Sequence, residues 1–444
     1  MTKYTQTELL FDNISGKKVS ADFEGGAMSS DGGVLLLRQI EKRTGVITAL
    51  ANNVRDVRHQ SYIEHGLRDL IHQRVVQIAC GYPEAVASNA LRADAAIKSG
   101  CGRLPFSSDS LAGQSTMCRL ENSVSRTDIY RMSRSLVDVF LDSFSRNPKR
   151  IVLDIDETCD PTHGAQQGSL FHAFYDTYCF LPLHVYEAKT GRLVTTVLRP
   201  GKTPTGKEVA AIIKRLIRHI RSRWPKVEII IRGDSHYGRP DVCDVCEAEN
   251  AWYILGLATN SRLQDLAFRS WWEHTRDEIG EYRTFSELPY QAGSWNKSRR
   301  VIVRIDAKLR GVDIRFVVTN MPQKNAGYLY DKVYCRRGQM ENLIKDHKNG
   351  LRSDLTSCSS FTANSFRLLL HSAAYVLLHH LRERILAGTS MATALFDTLR
   401  LKLLKIGARV VERSKVIRFH LPSTYAYRET FTLAHKRLLQ ADTP

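Results

Sequence analysis

Arg150-Ile-Val-Leu-Asp-Ile-Asp-Glu157 is the stretch that decides how this chain folds. Its apolar, largely β-branched start reads as a buried strand, and it ends in three acids, Asp154, Asp156 and Glu157. Side chains alternate along a strand, so Asp154 and Asp156 share one face while Leu153 and Ile155 share the other. Downstream, Phe180–Glu187 and Arg192–Arg199 read as two more strands, joined by the hairpin signal Ala188-Lys-Thr-Gly191. Thr205-Gly-Lys-Glu208 is a capping box. It opens a helix with Val209, Ile213, Leu216, Ile217 and Ile220 on one side and Lys214, Arg215, Arg218 and Arg221 on the other. Val227–Ile231 is a strand running into Gly233-Asp234; a helix over 239–249 and the strand Trp252–Leu257 follow. The order is β-β-β-α-β-α-β, which makes the class α/β.

Working outward, residues 1–148 read as a mainly helical, DNA-binding unit, with helices at Gly33–Lys42, Tyr62–Ile78, Pro83–Lys98 and Ser125–Phe144. Arg55, Arg58, His59, Arg68, His72 and Arg74 fall on the faces opposite the apolar ones. The α/β core begins in 149–258, is interrupted by a β-rich insertion over 259–327 that holds strands Arg299–Asp306 and Val312–Thr319, and resumes over 328–390. That second part carries a helix over 328–349 and another at Phe361–Leu386. Residues 391–444 form a basic C-terminal region; within Leu399–His420, Arg400, Lys402, Lys405, Arg409, Arg413, Lys415 and Arg418 stand against one acid, Glu412.

Of the 444 residues, 43% are hydrophobic and 25% charged, a globular composition that excludes collagen-like and disordered classes. No apolar run is long enough to span a membrane, and the start has no leader-like apolar segment, so a cytoplasmic, nucleoid-associated protein is expected. The nine cysteines lack a second close pair to complete Cys243-x-x-Cys246 as a zinc site, which leaves them as thiols in a reducing compartment. Sixty-four Lys and Arg against 46 acids leave a net charge of +18, which calls for a polyanionic partner, most economically nucleic acid.

The most informative string is Tyr334-x-x-Arg337-x-x-x-Glu341-x-x-x-x-x-x-Lys348. At the α-helical turn its four residues sit at relative angles of about 0°, 300°, 340° and 320°, on one narrow face. A carboxylate flanked by Arg, Lys and a phenol suits a site that holds a cation and grips phosphate oxygens. The bland alternative is a solvated face with Arg337 and Glu341 as an i,i+4 ion pair.

This spacing resembles the Tyr-(2)-Arg-(3)-Glu-(6)-Lys signature of bacterial insertion-sequence transposases with an Asp-Asp-Glu site. It falls after two strand-borne aspartates and a β-rich insertion, as it does in that family, and the strand order is the ribonuclease H-like one. Leu111-Ala-Gly-Gln-Ser-Thr-Met-Cys-Arg-Leu-Glu-Asn122 is similar to a segment that precedes the first Asp in one branch of the family.

The resemblance implies Glu341 as the third catalytic carboxylate and Asp234, in Ile-Arg-Gly-Asp-Ser-His, as the second. The first is Asp156 or Asp154; the family's Asp-x-Thr pattern favours Asp156, in Asp156-Glu157-Thr158, with Asp154 as a further metal ligand. It implies two Mg²⁺, replaceable by Mn²⁺, and Tyr334, Arg337 and Lys348 as phosphate-binding groups. The reaction would be cut-and-paste DNA transposition: water cuts the transposon end, then the freed 3′-hydroxyl attacks target DNA in line. The partners would be terminal inverted repeats, target duplex and a second copy of the chain in a homodimer that pairs two ends. Two other readings stand beside this one. Asp154-x-Asp156-x-Thr158 after an apolar strand also fits a haloacid dehalogenase-type phosphatase, with Asp154 as nucleophile. A DNA-binding relic without catalysis is the other, although no expected carboxylate is missing.

Overall fold

The computed structural model describes residues 8–275, 281–309 and 311–440; the first residues of the opening read above for a leader and the last of the basic region lie outside them. Eight strands build one mixed sheet. Five carry the first part of the core: β1 (Arg150–Glu157), β2 (Leu183–Glu187), β3 (Leu193–Val197), β4 (Glu228–Gly233) and β5 (Trp252–Leu257). The inserted segment adds β6 (Tyr282–Tyr290), β7 (Arg299–Lys308) and β8 (Gly311–Thr319). Across the sheet they run β6-β7-β8-β5-β4-β1-β2-β3. The three central strands β1, β4 and β5 are parallel, and the remaining pairings are antiparallel. The inserted strands thus extend the core sheet through the β5–β8 pair.

One face is covered by α1 (Gly206–Arg223) and α2 (Pro240–Ala248). The Thr205–Glu208 capping box forms: Thr205 Oγ1 accepts from the Glu208 amide at 3.2 Å, and the Glu208 carboxylate accepts from the Thr205 amide at 2.9 Å. Ile151, Leu153 and Ile155 of β1 meet Val209, Ile213 and Ile217 of α1 in this layer. A helix at Arg126–Asp142 adds Val137 and Phe140 to it.

The opposite face, toward which Asp154 and Asp156 alternate, lies under an irregular helical run and a long buried helix. The run passes from π turns at Tyr328–Tyr334 through a 3₁₀ turn at Cys335–Gly338 and an α segment at Gln339–Lys345 to π turns at Asp346–Gly350. The long helix, Phe361–His380, continues as π turns to Ile385. Its sequence reads as amphipathic, yet it is buried on nearly all sides, because the N-terminal helices Val34–Thr44 and Leu67–Ala79 pack on its far side. That packing also overturns the placing of Arg74 opposite the apolar faces: it is fully buried with its Nε 3.1 Å from Glu121, and Arg367 of the long helix reaches the same carboxylate at 3.5 Å. Glu121 belongs to the Leu111–Asn122 segment, so those residues are the charged anchor of this layer.

In the C-terminal region, Lys405 pairs with Asp31 at 2.7 Å, and Arg400 donates to the carbonyls of Ala79 and Gly350. Arg409, Arg413, Lys415 and Arg418 remain exposed on and around a three-stranded sheet in which Ala408–Glu412 pairs with Ile417–His420 on one side and Met28–Ser29 on the other. Among the described residues, no helix is long and apolar enough to cross a membrane.

Candidate active site

The parallel pairing of β1 with β4 sets Asp154 opposite Arg232 and Ile155 opposite Gly233. Asp156 and Asp234 therefore leave the sheet level with each other, at the C-terminal ends of two adjacent central strands. This is the edge at which open α/β sheets place their ligands. Burial, followed by the charge of Asp234, pushes the Asp156 carboxyl up to about 7. A carboxyl raised by burial and by a neighbouring carboxylate marks an oxygen donor set with unmet demand for positive charge.

The helical run supplies that charge. Arg337 Nη1 lies 2.8 Å from Asp156 Oδ2. Burial works against the guanidinium's proton, but Asp156, Tyr334 and Asp234 hold its pKa above the ordinary value. The 3₁₀ turn matters here: at about 120° per residue it brings Arg337 round to the same side as Tyr334. The Tyr334 hydroxyl sits against Gly256 of β5, where a Cβ would come within 2.7 Å of that hydroxyl and of the Ser235 amide. A glycine at this position lets the phenol and the Asp234 turn close on the strand together.

Glu157 and His236 complete the inner ring. Glu157 Oε2 accepts from Arg199 at 3.0 Å, and its Oε1 lies 3.2 Å from His236 Nδ1. The bond to Glu157 leads the rise in the His236 pKa, aided by the charge of Asp234. The His236 amide also donates to Asp234 Oδ1 at 2.9 Å, which orients that carboxylate. Neither residue was expected to act here, although both stand in the stretches that carry the aspartates, Asp156-Glu157 and Asp234-Ser-His236.

Asp154 is held differently from Asp156. Both its oxygens accept from Arg232, Nη2 to Oδ2 at 2.7 Å, and the pair is closed off with side chains only 3–4% exposed. Arg232 also donates to the Val333 carbonyl, which ties strand to helical run. Both Asp154 oxygens are thus already engaged by Arg232.

Lys348 and Glu341 lie apart from this centre. Lys348 donates to the Cys159 carbonyl and lies 3.8 Å from Asp160, a buried carboxylate raised to about 7 by burial. Glu341 is exposed on the α segment and has no hydrogen bond or ion pair with a described residue. Among the described residues, no three His, Cys, Asp or Glu side chains are close enough together to hold a metal ion. Asp156 and Asp234 are thus brought together with Arg337 and Tyr334, and Glu341 is not joined to them.

Comparison with known proteins follows the same line. The family described as "Transposase DDE domain group 1" matches residues 11–443. Among solved structures, the chain is similar to piggyBac transposase in its synaptic complex with hairpin DNA, with a TM-score of 0.45 and 9% identity over 94% of this chain and 82% of that one. No curated protein matches the sequence significantly. Matched over nearly its whole length, the chain belongs to the DDE transposase family, group 1.

Proposed function

We propose that the chain is a DNA-cutting and strand-joining transposase whose first two catalytic carboxylates are Asp156 and Asp234. The observation that carries this is their level placement on adjacent parallel strands, under Arg337 and Tyr334. The sheet order β3-β2-β1-β4-β5, with β2 antiparallel to its neighbours, supports a ribonuclease H-like core. A donor set made only of carboxylate oxygen suits Mg²⁺, with Mn²⁺ as a substitute. When bound, two such ions supply an activated water and neutralise the leaving oxygen. Asp156 and Asp234 would hold them, and Glu341, which stands apart from the pair in the free protein, is the third ligand that the family signature implies.

The chain's own groups do the rest. Arg337 neutralises Asp156 in the free protein and is placed to exchange that carboxylate for a DNA phosphate. Tyr334 offers its hydroxyl to a phosphate oxygen beside Asp234. Lys348 braces the end of β1 through Cys159 and Asp160. The exposed cations Arg409, Arg413, Lys415 and Arg418 and the N-terminal helices are candidates for gripping terminal repeats, and two copies would pair two ends. The phosphatase reading requires Asp154 as an open nucleophile, against its enclosure by Arg232.

Glu341→Gln tests the reading on DNA that carries the element's own ends. We expect end binding at wild-type affinity and no cutting in Mg²⁺, since the change removes a ligand charge while keeping shape. Cutting at the wild-type rate would remove Glu341 from the site.

A further inference from the structure

Residues 8–24 form an arm that the rest of the fold leaves uncovered. Leu9–Ile14 and Lys17–Ala21 pair antiparallel as a two-stranded sheet of their own. Leu9 stands opposite Ala21 and Phe11 opposite Val19, which puts four apolar side chains on one face. Leu9 is 42% exposed, Phe11 59%, and Phe23 beyond the second strand 85%. None of them joins a core cluster of the described residues. A lone hairpin is at best marginal in water, so one with an open apolar face calls for a partner. Charge narrows the choice. In a chain of net charge +18, residues 8–24 hold four acids, Glu8, Asp12, Asp22 and Glu24, against only Lys17 and Lys18. Such an arm is repelled by nucleic acid and attracted to a surface that is apolar and cationic.

The chain carries that surface itself. A groove of about 880 Å³ runs between the helix Arg126–Asp142, α1, the sheet-edge strand β3 and the start of the long helix. Half-buried Ile129, Val197, Ile212 and Phe361 line it, and among the described residues no Asp or Glu does. Arg126, Arg134, Arg215 and Arg218 stand exposed in its walls. Arg218 pairs with Glu249 at 2.8 Å and Arg134 meets His219 at 3.0 Å, whereas Arg126 and Arg215 have no hydrogen bond or ion pair with a described residue. A duplex would use the cations and leave the apolar floor unfilled; an acidic arm with Leu and Phe on one face uses both. We propose that the arm 8–24 of one copy docks in this groove of a second copy, and the second arm in the first groove, which closes a two-fold dimer. The inference gives the paired copies of the transposase reading a contact, and it rests on that reading only for the use made of the dimer.

The test is the mass of the full chain in solution, without DNA or metal, by analytical ultracentrifugation. The wild type should sediment as a dimer. Every variant changes exposed side chains, so an unchanged Tm verifies its fold. Phe11→Ala should raise the dimer dissociation constant about 30-fold, as loss of an aromatic anchor does. Reversing the groove charges with Arg126→Glu and Arg215→Glu, or the arm charges with Asp12→Lys and Asp22→Lys, should each give monomer. The four changes together should restore the dimer. A monomeric wild type overturns the proposal, as does a dimer that survives both reversals or one that the combined reversal fails to restore. Groove reversal that weakens duplex binding while the mass stays that of a dimer assigns the groove to DNA and also overturns it. No DNA is cut in these measurements, so loss of the proposed contact leaves the roles of Asp156 and Asp234 standing, and failure of those roles leaves the masses unchanged.

Discussion

Asp154 and Asp156 lie on the same face of one strand, yet their replacement by Asn should move stability in opposite directions. Asp154→Asn removes the charge facing Arg232 in a pair whose side chains are 3–4% exposed. Breaking a buried ion pair by removing one partner costs about 3–5 kcal/mol. For a chain of this length the unfolding entropy is about 0.9 kcal/mol/K, so Tm falls by about 3–5 °C. Asp156 has a folded pKa of about 7 against an ordinary value of 3.8. Its carboxyl is protonated in both folded and unfolded chains below the lower value, and no penalty exists there. As pH rises through 7 the folded protein must carry a charge it resists, a destabilisation of up to about 4 kcal/mol. Asn cannot ionise, so Asp156→Asn should raise Tm by up to about 4 °C at pH 8 and leave it unchanged near pH 4. The assay is calorimetry of the two variants and wild type at both pH values, with EDTA present. A lower Tm for Asp156→Asn at pH 8, with Asp154→Asn matching wild type, would reverse the roles assigned to the two acids.

Three further outcomes follow from the same geometry. Gly256→Ala places a Cβ 2.7 Å from the Tyr334 hydroxyl and the Ser235 amide; overpacking of this kind costs about 1–3 kcal/mol, and cutting should fall with it, so full activity would show that Tyr334 need not close on β5. Lys348→Ala should weaken cutting more than end binding, because it unseats Cys159 and Asp160 at the end of β1 while removing at most one phosphate contact among about ten; equal losses in both would place Lys348 on the binding surface alone. In acid, His184 and His371, with pKa values down to about 3 through burial, and His72 and His380, down to about 4, must stay neutral while unfolded imidazoles gain protons below 6.5. Each costs about 2 kcal/mol at pH 5, and Asp156 and Asp160 offset about 2–3 kcal/mol apiece because the folded chain holds their protons up to about 7. His347 and His379, held well below the ordinary value by burial, add to the loss, so stability falls between pH 7.5 and 5, and a Tm unchanged over that interval would contradict this.

Much of this architecture is legible in the sequence because local chemistry fixes it. The strand Trp252–Leu257 and the capping box at Thr205 need no tertiary information. Elsewhere, short signals win over periodicity. The expected helix over 83–98 divides into Ala87–Leu91 and Ala95–Gly100, because the Asp94 side chain caps a new start by accepting from the Ile97 amide at 2.8 Å. The strand Tyr282–Tyr290 is hidden because it lies at the sheet edge, where alternating polar residues and Pro289 are tolerated. At the site, alternation alone puts Arg232 and Asp234 on one face of β4. That Arg232 lies level with Asp154, and so closes it, depends on the register between two strands 78 residues apart in sequence. The single-face geometry of Tyr334, Arg337, Glu341 and Lys348 assumes one regular helix; the π and 3₁₀ turns of the run redistribute those angles.

If Asp156 and Asp234 hold the catalytic metal together, Asp→Cys exchange at each position changes which cation supports cutting. A thiolate favours softer cations, so end cutting by Asp156→Cys and Asp234→Cys should be lost in Mg²⁺ and partly restored in Mn²⁺, while Asp154→Cys shows no such preference. Activity in Mg²⁺ from either of the first two variants, or rescue by Mn²⁺ only in Asp154→Cys, would contradict the account.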